Sequence, residues 1–187
     1  MDDRNLPSLE ADLAEVLISD REIQKRVKEL GEQITREYRG KMPYLVVVLN
    51  GAFMFIADLV RAIDLHMDIG FIAVSSYGDS THSTGTVRIV KDLQKDIYER
   101  HVLLVEDIVD TGLTISYLRE MLNGRKPASI ATVSLLSKPA ARKVQVPLEY
   151  CGFEIPNKFV IGYGLDYQQK YRNLPCIGVM DPAKLPG

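Results

Sequence analysis

Three short apolar runs constrain the fold of this chain more than any other feature: Leu45-Val46-Val47-Val48-Leu49, Val102-Leu103-Leu104-Val105 and the stretch 129–136. The first two do not alternate polar with apolar residues, as a strand with one wet face would, and the third keeps Ile130, Ala131, Val133, Leu135 and Leu136 despite Ser129, Thr132 and Ser134. They read as strands buried on both faces, the habit of a mainly parallel sheet. Segments of helical period lie between them. Ser19 and Glu22 are spaced as a capping box, and Ile23, Val27, Leu30 and Ile34 then share one helical face. Gly40 and Pro43 end that helix. A second helix is predicted over 53–65, with Phe53, Ile56, Ala57, Val60 and Ile63 facing inward, and a third over 114–123. Residues 69–76 read as a further strand, with 87–91 as its hairpin partner. The alternation predicts an α/β fold with a mainly parallel central sheet flanked by helices. Beyond residue 140 the pattern weakens. Pro139, Pro147 and Pro156 leave only shorter strands near 159–162 and 176–180. The N-terminal and C-terminal segments are expected to form a small hood subdomain at one end of the sheet. At 187 residues the whole is most simply one domain, 1–187, with a sizeable core.

Function concentrates at the end of the strand predicted over 102–107 and in the loop that follows it, in Glu106-Asp107-Ile108-Val109-Asp110-Thr111-Gly112-Leu113. Open α/β sheets bind ligands outside the carboxyl ends of their strands. Three carboxylates within five residues repel one another unless a cation or a hydroxyl-rich ligand relieves them, which weighs against a merely solvated turn. Carboxylates suit ribose hydroxyls or a hard cation, and free N–H groups at Thr111-Gly112, opening a helix, suit a phosphate. Asp110 is offset from the Glu106-Asp107 pair, as a group with separate duties would be.

Composition removes several function classes. A formal net charge of −2 gives no support to non-specific nucleic-acid or membrane binding. The apolar runs are far too short to span a bilayer. Met1-Asp2-Asp3-Arg4 has no basic region leading into an apolar one, so no signal peptide is expected. Cys151 and Cys176 show no metal spacing and read as ordinary thiols in a reducing cytoplasm.

Val105 to Thr114 resembles the phosphoribosyl-pyrophosphate signature of the type I phosphoribosyltransferases. Leu49-Asn50-Gly51-Ala52, Ser75 to Gly85, Ser134 to Lys138, and Phe153 to Asp166 are similar to segments of the 6-oxopurine branch, the hypoxanthine-guanine phosphoribosyltransferases. The resemblance spans roughly residues 12–181. It implies the type I phosphoribosyltransferase fold and Mg²⁺-dependent attack of a free 6-oxopurine base on C1′ of phosphoribosyl pyrophosphate. In that light Glu106 and Asp107 would hold the ribose hydroxyls and one Mg²⁺, and Asp110 would be the catalytic base near purine N7. The loop Asp110, Thr111, Gly112, Leu113 and Thr114 would cradle the 5′-phosphate. Lys138 would donate to O6 of the base, Phe159 would stack on it, and the Val160 backbone would read its edge. Asp166 resembles a ligand of a second Mg²⁺, and Arg172 a pyrophosphate contact. Asn50 and Gly51 match a loop whose often-cis, non-proline peptide presents N–H groups to pyrophosphate. Asn50 stands where many relatives carry lysine, and Leu113 where some do.

Ser75 to Gly85 holds six Ser or Thr residues, so Ser76, Tyr77 and their neighbours are expected to form a lid that excludes water from the reacting sugar. The resemblance also implies a cytoplasmic homodimer or homotetramer. Relative use of hypoxanthine, guanine and xanthine stays open, with a xanthine-preferring or broader 6-oxopurine transferase as the alternative. A signalling receiver shares the acidic strand end, but no aspartate lies between Asp110 and Lys138 to accept its phosphoryl group. A nucleotide-sensing RNA-binding regulator lacks its basic patch.

Overall fold

The computed structural model describes residues 9–76 and 87–184. The chain runs through β1 (Leu13–Ile18), α1 (Asp20–Glu37), β2 (Tyr44–Leu49), α2 (Phe53–Ala62), β3 (Asp68–Ser76) and β4 (Val87–Lys91). It continues through β5 (His101–Val109), α3 (Leu113–Asn123), β6 (Ser129–Ser137), β7 (Tyr150–Glu154), β8 (Val160–Ile161) and β9 (Ile177–Met180). Six strands form the central sheet in the order β4-β3-β2-β5-β6-β7. All neighbours are parallel except β4, which returns antiparallel beside β3. The fold is therefore α/β with a mainly parallel sheet, as the unbroken apolar runs predicted.

Period-two alternation divides the core between the two faces of the sheet. Leu45, Val47, Leu103 and Val105 pack with α1 and α2. Tyr44, Val46, Val48, Val102 and Leu104 pack with Ile115, Leu118 and Leu122 of α3. In α1 the capping box forms: the Ser19 N–H donates to Glu22 Oε2 at 2.9 Å, and Ser19 Oγ accepts from the Glu22 N–H. Its predicted face, Ile23, Val27, Leu30 and Ile34, is buried. Gly31 lets α1 lie against α2, since a Cβ there would come within 2.5 Å of Ala62.

Two expectations need correction. In α2 the inward face is Phe55, Ile56 and Leu59, followed by Ile63, whereas Phe53 and Ala57 are exposed and Val60 is half-buried. Apart from Asp58 and Arg61 this helix is apolar all round, so periodicity alone leaves its rotational phase open. It also stops at Ala62 rather than 65: Ile63 turns extended, and the Asp64 N–H donates to Thr35 Oγ1 at 3.0 Å. The second correction concerns β5, which does not end at 107. Its ladder with β6 continues through Ile108↔Leu136 and Val109↔Ser137, so the strand runs two residues past Asp107 and the loop begins at Asp110.

A second, antiparallel sheet of order β1-β9-β8 joins the first described segment to the last. Neither β1 nor β7 stood out in the sequence, because each is short and is stabilised by a partner remote along the chain. Ser76 ends β3 opposite Val87, and Tyr77 with most of the expected lid lies outside the described residues. Among the described residues no helix is long and apolar enough to cross a membrane.

Candidate active site

Because β2, β5 and β6 run parallel, the segments that follow them emerge along one edge of the sheet. Asn50-Gly51 follows β2 through a cis peptide bond between Leu49 and Asn50. Asp110 to Gly112 follows β5, and Lys138 follows β6. Two clefts open there, of about 260 and 350 Å³, and Asp107, Ile108 and Asp110 line both.

The smaller cleft is walled by residues 106–112 with Thr114 and Ile115. Gly112 takes φ = +86° and caps α3 with no side chain of its own. The Leu113 N–H donates to Thr111 Oγ1 at 3.4 Å, and the N–H groups that follow it in the first turn can face an anion. A side chain at this glycine would meet the Val144 carbonyl at 2.4 Å. Residues 142–144 support the loop from behind. The N–H groups of Lys143 and Val144 both donate to the Thr111 carbonyl, at 2.9 and 3.1 Å, and Arg142 Nη2 donates to Ser137 Oγ at 2.8 Å. Leu113 lines neither cleft.

The larger cleft gathers Asn50, Gly51, Lys138, Phe159, Val160, Asp166 and Arg172. Lys138 is buried, and its Nζ lies 3.7 Å from Asp110 Oδ2. Phe159 is 51% exposed, and Tyr167 packs edge-on against it at 5.9 Å between ring centroids. Arg172 Nη2 lies 2.8 Å from Asp166 Oδ1, while Nη1 donates to the Gly164 carbonyl at 2.7 Å. The Gln169 N–H donates to Asp166 Oδ2 at 2.8 Å. Val74, Ile108 and Leu165 also line this cleft. Ile108 and Leu165 lie within the segments singled out in the sequence, whereas Val74 and the supporting contacts of residues 142–144 carry no signal there, being apolar or backbone groups brought in by the fold.

Burial, reinforced by the neighbouring Asp107, raises the Glu106 carboxyl well above the usual carboxylate range. Burial also raises Asp107, against hydrogen bonds from Glu106 and the Ile108 N–H and the charge of Arg172. Glu106 Oε2 is buried with no hydrogen-bond partner among the described residues. Such a pair accommodates positive charge or hydroxyl donors, so a hard cation fits here. Among the described residues no three His, Cys, Asp or Glu side chains converge as a complete metal cage. Glu106 and Asp107 could hold a hard cation that keeps water or substrate oxygens as its other ligands, whereas both Asp166 oxygens already face partners, Arg172 and the Gln169 N–H.

Residues 17–168 match the phosphoribosyl transferase domain family. The chain is 52% identical over 172 residues to a hypoxanthine-guanine phosphoribosyltransferase of Bacillus subtilis, covering 92% of this chain and 96% of that protein. A Streptococcus pneumoniae protein described by the same words is 49% identical with the same coverage. Among solved structures, a hypoxanthine phosphoribosyltransferase from Staphylococcus aureus superposes with a TM-score of 0.93 at 45% identity, covering 97% of this chain and 98% of that one.

Proposed function

The chain belongs to the phosphoribosyl transferase family, and from that premise we propose that it salvages purines. It transfers the 5-phosphoribosyl group of phosphoribosyl pyrophosphate to hypoxanthine or guanine, giving IMP or GMP and pyrophosphate. One observation carries this reading: a helix-terminus phosphate cradle and a cleft bearing an aromatic ring and a buried lysine meet at Asp107 and Asp110.

The 5′-phosphate sits on the backbone of Asp110 to Thr114, with the Thr111 and Thr114 hydroxyls. Glu106 and Asp107 take the ribose hydroxyls. The base lies against Phe159, with Val160 reading its edge and Lys138 donating to O6. Asp110, beside Lys138, accepts the N7 proton as the base attacks C1′. Asn50, Gly51 and Arg172 receive the departing pyrophosphate. Glu106 with Asp107, and Asp166, are the groups that would hold Mg²⁺. When bound, Mg²⁺ supplies positive charge against the charge developing on the leaving group. The transition state has oxocarbenium character, so the side chains act through position and electrostatics. We read the β1-β9-β8 sheet as the hood beside the base, Ser76 and Tyr77 as part of the lid, and the protein as a cytoplasmic homodimer or homotetramer.

A spectrophotometric assay with phosphoribosyl pyrophosphate, Mg²⁺ and each of hypoxanthine, guanine, xanthine and adenine tests the reading. Turnover of hypoxanthine or guanine is expected, and absence of both overturns it. Asp110→Asn is expected to lower kcat by about 10²-fold, at the low end for loss of a general acid–base group, with the KM for phosphoribosyl pyrophosphate changed little. A wild-type kcat would remove Asp110 from the chemistry.

A further inference from the structure

The pyrophosphate end of the larger cleft is assembled from two pieces of chain with no ladder between them. Asn50-Gly51 is anchored by α2, which starts directly after it. Asp166 and Arg172 sit in the segment between β8 and β9. Much of that segment lies in left-handed backbone: Gly162 at φ = +100°, Tyr163 at +49°, Gly164 at +101°, then Gln168, Gln169 and Tyr171. Its backbone hydrogen bonds run largely within itself, as from Tyr163 to the Leu174 carbonyl and from Gly164 to the Arg172 carbonyl. These fold the segment, but they do not register it against Asn50-Gly51.

Tyr163 supplies that register. Its side chain is 5% exposed, and its hydroxyl donates to Asp58 Oδ2 of α2 at 2.5 Å. Gln24 of α1 donates to the same oxygen at 3.0 Å, and Arg61 pairs with Oδ1. Burial pushes the Asp58 carboxyl up, but these three donors outweigh it and hold the group below its usual range. Burial and then the bond to Asp58 push the Tyr163 phenol up, so the proton stays on the tyrosine. The result is a charge-assisted hydrogen bond, the stronger kind. A tyrosine in the left-handed region persists only where its surroundings over-determine it, and this bond, core packing and the Leu174 contact do so. The adjoining Gly164 lies so close to the Gly51 carbonyl that a Cβ would come within 2.1 Å of it. The carbonyl of that same Gly164 accepts from Arg172.

We infer that the Tyr163–Asp58 hydrogen bond is a latch that sets the pyrophosphate subsite, with Tyr163 a positioning residue acting through Gly164 on Gly51 and Arg172. This rests on the phosphoribosyl-transfer reading above. A merely structural tyrosine would lower stability and all kinetic constants together. The latch instead predicts a selective loss, because residues 142–144 hold the phosphate cradle and the ladder to β9 holds Val160 at the base edge.

The test compares Tyr163→Phe, Asp58→Ala and Asp58→Asn. Asparagine keeps a carbonyl oxygen where Oδ2 accepts from Tyr163 and Gln24, so it serves as the conservative rescue. Tyr163→Phe and Asp58→Ala are each expected to raise the KM for phosphoribosyl pyrophosphate about tenfold, leaving the hypoxanthine KM within about twofold. Asp58→Asn should stay within about threefold of wild type, and the Tyr163→Phe/Asp58→Ala double variant should be no worse than either single one. Calorimetric binding of pyrophosphate with Mg²⁺ should weaken in parallel. Unchanged affinity in Tyr163→Phe, equal losses for base and pyrophosphate, or full additivity in the double variant would each overturn the latch. Wild-type protein that binds pyrophosphate through the latch yet turns over neither base would count against the purine reading alone.

Discussion

Gly51 shows how much of the site is decided by single atoms. A Cβ at this position would lie 1.6 Å from Asp107 Oδ2, so the backbone of the loop after β2 and the carboxylate of β5 approach only because no side chain intervenes. Gly51→Ala must displace Asp107, whose Oδ1 accepts from the Ile108 N–H at 2.9 Å. Overpacking of this kind costs about 1–3 kcal/mol. Since the displaced group belongs to the proposed ribose and metal site, kcat/KM for phosphoribosyl pyrophosphate should fall by at least about 10²-fold, the penalty for small misplacements of reacting groups. A variant with wild-type kcat/KM would show that this contact is dispensable. Asp107 was legible as a site candidate from residue type and strand position, and Lys138 only through the family resemblance. Their burial was not, because it depends on neighbours contributed by β2, β6 and the segment after β8.

At the level of elements, α1 was the most legible part of the chain. Its capping box, its apolar face and its position before a glycine-proline stop all agree, and such agreement between levels is what makes a local segment predictable. Ser19→Ala should cost about 1 kcal/mol, a shift of about 2–4 °C in the melting temperature of a protein this size, with kinetic constants unchanged. A calorimetric scan identical to wild type would mean the cap contributes nothing. Helix α2 illustrates the opposite case. With apolar residues on every side, its phase is set by tertiary partners: Ala62 against Gly31, and Asp58 beneath Tyr163. Strand β5 ran two residues beyond its expected end for a related reason. Its polar residues broke the apolar pattern, but the hydrogen-bonded ladder to β6 does not depend on side-chain polarity.

Across the whole molecule, contacts between distant elements contribute to the pH response. Tyr150 of β7 donates to Glu37 Oε2 at the end of α1 at 2.5 Å, and Gln33 donates to Oε1 at 2.9 Å. These bonds, with smaller help from Arg36 and Lys41, hold the Glu37 carboxyl below its ordinary 4.5 against the effect of burial. A carboxyl depressed in the folded state stabilises the protein above its unfolded pKa, and that contribution fades as pH falls through the lower folded value. Glu37→Gln should therefore melt below wild type at pH 7, and the difference should shrink as pH falls below 4.5 and disappear once it passes the lower folded value. A deficit independent of pH would place its origin in packing rather than in charge.

The sequence by itself determined the architecture and the location of the chemistry. Unbroken apolar runs such as Leu45–Leu49 satisfy their burial only in a sheet covered on both faces, and a parallel sheet brings the ends of its strands to one edge. The resemblance of Val105–Thr114 and Phe153–Asp166 to known segments then pointed to the reaction. Tertiary structure alone decided how the pieces meet: residues 142–144 beneath Thr111, Asp107 against Gly51, and Tyr163 on Asp58. Those contacts join residues from about 30 to more than 100 positions apart, or involve backbone atoms that every residue possesses. Local propensity and periodicity act over a few residues, so they leave such pairings to the packing of the complete fold.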